Sequence, residues 1–499
     1  MKAQAPGWEI VGLMSVCDFV RGVTYNKVDA RDIPGPNMVP VIRANNIQDR
    51  RFNLVELVYV PASLVSASQI INDGDVVIAT SSGSVSVVGK AAQARENMKA
   101  GFGAFCGLLR PAYGIDTRFF GHYFRSDYYR TTVSAMARGV NINNLKRDHF
   151  EVLRFPLAPA AEQTRIADKL DTMLARVDAC RDRLARVAPL LKRFRQSVLA
   201  AATSGRLTED WRVANLHVHN AAEQQVALRE SFRSGHLRVR GDAMRIEQEL
   251  LYELPSPWSW IANYRLAADD SNAICAGPFG TIFKAKDFRD VGVPIIFLRH
   301  VGEGRYLTHK PGFMDEQVWA SQHQPYSVYG GELLVTKLGD PPGSACLYPK
   351  DIGVAMVTPD VIKMNVDSEV AEPIYLMHYF NSPNSKRLIE AVCFGVTRLR
   401  IDISMFKTFP IPLPPRAEQT EVVRRVESLF AFADRLETRL AQARSAAERL
   451  TPALLAKAFR GELVPQDPDD EPAAELLKRL AALRAQGEGG RARRNNVSG

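Results

Sequence analysis

The sequence predicts an α+β protein: two tandem globular domains of similar fold, separated by two long antiparallel helices that form a coiled-coil-like rod, with a pseudo-twofold internal repeat. Three observations carry this. The segment from Ala161 to Leu207 aligns without a gap on Ala417 to Leu463, and 15 of the 47 pairs are identical. Each copy follows a stretch of short β-branched runs broken by Gly, Asn, Asp and Pro, a strand-and-turn pattern. Each such stretch ends in a proline-rich strand, Phe155-Pro156-Leu157-Ala158-Pro159 in one half and Phe409-Pro410-Ile411-Pro412-Leu413 in the other.

The elements follow in order. Residues 1–155 form the first domain, 156–211 the first long helix, 212–254 a polar connector, 255–410 the second domain, 411–464 the second long helix and 465–499 the tail. Trp8 and Trp258 open the two halves. Val39–Ile42 pairs with Val293–Ile296, Gly74–Ile78 with Gly331–Val335, and His122-Tyr123-Phe124 with His378-Tyr379-Phe380. The stretches Phe119–Ala137 and Pro373–Val392 have helical character, which makes each domain α+β. Proline fixes an extended entry to each long helix, and Glu162 and Glu418 then fall in the first turn, where a carboxylate suits the macrodipole.

Each long helix carries a heptad-like stripe. Ile166, Leu170, Leu174, Val177, Leu184, Val187, Leu191, Phe194 and Val198 recur at spacings of four and three with one skipped position. Val422, Val426, Phe430, Ala433, Leu440, Ala443, Ala447, Leu450 and Leu454 repeat the pattern. At 1.5 Å per residue, about 40 residues give a rod of about 60 Å, too long for a domain of about 150 residues to cover, so the stripes are expected to pair with each other. The skipped position is charged in both copies, Arg181 and Glu437, and a midpoint pairing would bring these two into salt-bridge range and fix the register. Pro189 and Pro452 are expected to kink the helices, at roughly 3 kcal/mol each, and Gly205 and Gly461 to close them. The connector should hold a short helix over Ala221–Phe232. The tail should form an acidic turn, then a helix over Glu471–Gln486, then a disordered end.

An apolar fraction of 46% and a charged fraction of 24% are those of an ordinary folded protein. No run approaches the roughly 18 apolar residues of a membrane span, and the start has no secretory apolar region. The six cysteines are scattered without a CxxC, as in reduced cytoplasmic proteins without a zinc site. The net charge of +9 favours a polyanionic partner.

No catalytic constellation is present in the sequence. Asp340-Pro341-Pro342-Gly343 lacks the aromatic of an amino-methyltransferase motif and has no cofactor loop before it; it reads as a turn. Gly101-Phe102-Gly103 is a lone glycine pair, Pro359-Asp360 with Lys363 lacks the rest of a nuclease motif, and no phosphate-binding GKS or GKT occurs. What remains are polar and basic residues at matching loop positions. After the Val-Pro strands come Arg43, Asn45 and Asn46 in one half and Arg299 and His300 in the other. After the Gly-acidic strands come Ser82 and Ser84, opposite Lys337. Before the exit strands come Arg138, Asn141, Asn143, Asn144, Lys146 and Arg147, opposite Thr397, Arg398 and Arg400. Arginine pairs with guanine edges and asparagine with adenine, while Lys, Ser and Thr hold phosphates. A repeated scaffold with divergent loop chemistry is what a reader of two different duplex sequences requires.

The junctions running into EQTRIADKLD and EQTEVVRRVE, the paired GDVVIATSSGS-like and VPVIRANNI-like strands, and the closing GRLTEDWR and GELVPQDPDDEPAAELL segments resemble the specificity subunits of Type I restriction-modification enzymes. The resemblance spans nearly the whole chain. It implies two target recognition domains (1–155 and 255–410), each reading one half of a bipartite site in double-stranded DNA. It also implies two modification (methyltransferase) and two restriction (helicase-nuclease) subunits as partners. S-adenosylmethionine, ATP and Mg2+ would sit on those partners, with no cofactor, metal or catalytic residue on this chain. The long connector and the placing of Pro452 where the first helix has Gln196 depart from a simple repeat. The alternatives are a DNA methyltransferase or nuclease with divergent motifs, or a bivalent protein-binding scaffold.

Overall fold

The computed structural model describes residues 5–48, 50–82, 84, 87–138, 145–215, 222–235, 246, 248–278, 285–310, 312–395 and 398–495, with the side chains of 137–138, 285 and 487–495 left out of the description. Two compact units result: Met1–Ala185 with Ala441–Gly499, and Arg186–Leu440. The first long helix spans Ala160–Thr203 and the second Arg416–Ala458, so each contributes one part to each unit. Both run on through their internal prolines, Pro189 and Pro452.

In the first unit, a four-stranded antiparallel sheet is ordered Cys17–Arg21, Cys106–Pro111, Val76–Ala79, Ala91–Gln93. A second sheet sets Met38–Ile42 between Val58–Pro61 and the short parallel strand Gly101–Phe102. The proline-rich exit strand Arg154–Leu157 pairs with the entry strand Glu9–Gly12, Pro156 opposite Ile10, in a two-stranded ribbon where a missing N–H is tolerated. Helices Thr117–Tyr123 and Asp127–Arg138 lay Phe119, Phe120, Tyr123 and Tyr129 into the core. Ile166, Leu170, Leu174 and Val177 of the first long helix join that core, together with Leu454, Leu455 and Ala458 of the second.

The second unit repeats the plan. Its four-stranded sheet is ordered Ile274–Ala276, Val361–Met364, Leu333–Thr336, Ala345–Leu347, and Val293–Ile296 again takes a parallel neighbour, Ala355–Val357. The exit strand Pro410–Leu413 pairs with Ser259–Ala262. Val198, Leu199 and Ala202 close the core with Val422 and Val426.

Within each unit the helix segments run antiparallel. Arg181 Nη2 donates to Ala447 O at 3.0 Å and Arg444 Nη2 to Leu184 O at 3.0 Å. In the second unit Arg195 donates to Asp434 at 2.6 Å and lies over the Phe430 ring. The expected pairing of Arg181 with Glu437 is therefore corrected. Arg181 takes Ala447 O, Glu448 O and Asp178, while Glu437 takes Arg195 at 3.4 Å. The reason is register: position 181 faces 447, ten residues beyond 437, about 15 Å along a helix. The stripe is buried or half-buried except at Leu450, which is exposed.

The connector and tail have matching roles. The connector helix, Ala222–Glu230, buries Ala222 and Val226 against the second domain, and its Glu223 and Glu230 hold Arg265. The tail helix buries Ala473, Leu476 and Leu480 against the first domain. It extends over Ala473–Asn495, past the expected end at Gln486. Asp470, in the acidic turn, is taken by Arg165 at 2.5 Å and its side chain is largely buried, so it belongs to the fold.

Candidate nucleic-acid interface

The loops that follow the core strands gather on one side of the first domain. Gly103 N donates to Ile42 O, and Thr80 N and Ser81 N both donate to Phe105 O, which brings the Arg43–Asn46, Thr80–Ser82 and Gly103–Cys106 loops together. Close approach of the backbones requires glycine: a Cβ on Gly22 would lie 2.0 Å from Gly103 O. The loops enclose a cleft of about 1020 Å³ lined by Arg43, Asn45 and Ser82, and also by Tyr25, Lys90 and Phe105. Tyr25, Lys90 and Phe105 were missed in the sequence. Phe105 had a signal, an aromatic ring after small residues in a turn, and it is 69% exposed.

The remaining expected residues of this domain divide. Asn45 is exposed, Arg43 half-buried with Nη2 on Glu56 O at 3.0 Å, and Ser82 Oγ accepts from Ser84 N. Lys146 and Arg147 are exposed beside the short helix Arg147–Glu151. Arg138 ends a helix and its side chain is not described; Asn141, Asn143 and Asn144 lie outside the described residues.

Asn46 requires a correction. Its side chain is buried, with Oδ1 accepting from Arg43 N and Nδ2 donating to Asn53 O and Val55 O. All its hydrogen-bonding capacity serves the loop, so it is not placed to touch a base. His300 is corrected in the same way: it is buried, and Nδ1 accepts from Phe297 N at 3.0 Å. Burial, reinforced by Arg299, lowers the His300 pKa to about 4, so the ring is neutral.

In the second domain the strands Leu338–Gly339 and Leu399–Arg400 pair, Leu338 opposite Arg400, and Ile401 N donates to Lys337 O. Lys337, Arg398 and Arg400 are thus brought to one edge. Arg398 and Arg400 are exposed, Arg400 lying 4.8 Å over the Phe394 ring. Lys337 is half-buried, and desolvation lowers its pKa. Arg299 sits on a separate loop, 4.3 Å over the Phe297 ring. Thr397 lies outside the described residues. Lys363, weighed as part of a nuclease, is buried in an ion pair with Glu332 at 3.2 Å. Asp340–Gly343 is a turn closed by Gly343 N on Thr336 O. Among the described residues, no group of three or more His, Cys, Asp or Glu is placed to hold a metal, and no helix is long and apolar enough to cross a membrane.

The family described as Type I restriction modification DNA specificity domain matches residues 6–187 and 351–443, which includes the first-domain cleft and the Lys337-facing strand Leu399–Arg400. The chain belongs to this family. It is 35% identical to the Type I restriction enzyme EcoKI specificity subunit of Escherichia coli (strain K12), over 98% of each chain. It is 34% identical to the StySPI specificity subunit of Salmonella potsdam, over 96% of each. The solved HsdS subunit from Thermoanaerobacter tengcongensis shares the fold, with a TM-score of 0.55 at 18% identity over 92% of this chain and 98% of that one. As a Type I specificity subunit the protein is a component for DNA sequence recognition within a larger assembly, in which catalysis resides in other subunits.

Proposed function

We propose that this specificity subunit reads a bipartite duplex site, the first domain one half and the second domain the other, with the helix pair setting the unread spacer between them. The observation that carries the reading is the same loop frame filled with different chemistry. Around the parallel-strand junction the first domain offers Arg43, Asn45, Ser82 and the aromatic Phe105, and the second offers Arg299, Lys337, Arg398 and Arg400. Arg and Asn forks match purine edges and the aromatic ring matches a thymine methyl, so the halves would read different bases.

In this reading two modification subunits and two restriction subunits assemble on one copy of the chain in the cytoplasm. S-adenosylmethionine, ATP and Mg2+ are bound by those partners. The test is methylome sequencing of cells carrying loop exchanges. Exchange at Arg299, Lys337, Arg398 and Arg400 should alter one half of the methylated motif, and exchange at Arg43, Asn45 and Ser82 only the other. Both halves changing together, or one continuous motif, would overturn it.

A further inference from the structure

Beyond the reading cleft, the first domain has a second cleft, of about 1270 Å³, between the hairpin Ile47–Gln48/Arg51–Phe52 and the Asp178–Asp182 stretch of the first long helix. Its walls carry Arg50, Arg51, Arg95, Arg125 and Arg181 against Glu96, Asp178 and Asp182. Gln48 lines both clefts, so the two adjoin there.

Three features separate this surface from an ordinary solvated one. Arg50 stands at φ 65°, the left-handed region that disfavours a side chain, while the matching hairpin of the second domain, Val301–Gly302/Arg305–Tyr306, has Gly304 there at φ 76°. An arginine stands where the fold itself is served by glycine. Next, Arg125 Nε is buried without a hydrogen-bond partner, and burial, then Arg50, depresses its pKa to about 10. Asp178 and Asp171 offset part of this, but the Nε donor they leave unmet is open to a further anion. Finally, the positions matching Arg125 and Arg181 are Asn381, whose amide is satisfied by Ala345, and Glu437. Arg51 keeps a counterpart, Arg305, so what is peculiar to the first domain is the group Arg50, Arg125 and Arg181, which the architecture does not require.

We infer that this arginine cleft clamps the phosphate backbone of the duplex next to the first half-site, on the side of the first long helix. It would give the first domain a sequence-independent grip that the second lacks. The inference rests on the first domain being a reading head. A polyanion that must pass from the reading cleft across Gln48 is a continuous strand, which favours duplex backbone over a free phosphate.

The test uses the chain assembled with its modification subunits and a duplex bearing its own motif. Arg50→Gly removes the left-handed side chain, so the variant keeps its fold while losing the charge; Arg51→Gln and Arg125→Gln complete the set. Each should leave the methylated motif unchanged, weaken binding, and flatten the slope of log K against log salt by about 0.9 for each phosphate no longer neutralised. A single methylphosphonate at the gripped phosphate should weaken the parent and leave the variants unaffected. Unchanged affinity and slope in all three variants would overturn the clamp. A changed motif would mean that the arginines read bases, and loss of modification subunits would mean that the cleft docks protein; either also overturns it. A parent complex without motif preference would instead bring down the reading-head assignment together with the clamp.

Discussion

The indole Nε1 of Trp8 donates a 2.8 Å hydrogen bond to Glu162, and the same bond at 2.8 Å joins Trp258 to Glu418. Each ties the first strand of a domain to the first turn of the helix that leaves it. The other carboxylate oxygen is met by the segment that follows the other long helix: Gln466 reaches Glu162 at 2.6 Å, and Thr208, at 2.6 Å, and Arg212 reach Glu418.

The two clasps should differ in cost when broken. Glu418→Ala strands Arg212, whose side chain is only 13% exposed, and should destabilise the second unit by about 3–5 kcal/mol. Glu162→Ala strands only neutral donors, at about 1–3 kcal/mol. Calorimetric unfolding of the two variants gives the order directly; an equal loss would contradict the buried-charge account.

Asn45 and Asn46 are neighbours with opposite roles. Asn46→Ala should lower stability by about 1–3 kcal/mol, because the Arg43 N–H and the Asn53 and Val55 carbonyls lose a buried partner. Asn45→Ala should leave the melting temperature unchanged and relax one position of the methylated motif. Methylation sequencing alongside thermal melts separates the two.

Acidification should weaken the second unit. The folded pKa values of His300 and His378 are lowered by burial from 6.5 to about 4. Between those values the unfolded chain takes up protons that the folded chain refuses, so stability is lost as pH falls from about 6.5 to about 4. His300→Asn supplies the acceptor that Asn46 provides in the first domain and should flatten this dependence while keeping the loop. Urea unfolding as a function of pH reads it, and a slope unchanged by the substitution would refute the assignment.

Along the helix pair, apolar packing should outweigh charge. Leu170→Ala or Leu174→Ala should cost about 2–5 kcal/mol, since both side chains are buried. Arg195→Ala should cost about 1 kcal/mol or less, its partners Asp434 and Glu437 being more than half exposed. Denaturant midpoints of the three variants provide the comparison.

The architecture was legible in the chain because it rests on periodicity and on backbone chemistry. A stripe such as Ile166, Leu170, Leu174 and Val177 forces a helix with one buried face, and Pro156 and Pro410 force extended exits. Duplication of both declares that the fold occurs twice. The side-chain assignments were not equally legible. Asn45 and Asn46 are identical letters, and only the turn of the Ala44–Asn46 segment sends one outward and the other into the loop. Phe105 gains its meaning from strands distant in sequence that converge beside Arg43.

Register was decided by the tertiary structure alone. The stripes required that the two helices pair, but not which turn faces which. Side-chain length and the packing of each domain on both helices set Arg181 against Ala447 and gave Glu437 to Arg195. The sequence by itself determined the elements, their duplication and the family. The folded chain decided which polar groups are consumed in holding loops and junctions, and so which remain to meet a ligand. That division follows from range: propensity and period act within a few residues, whereas burial and hydrogen-bond satisfaction depend on neighbours that only the complete fold supplies.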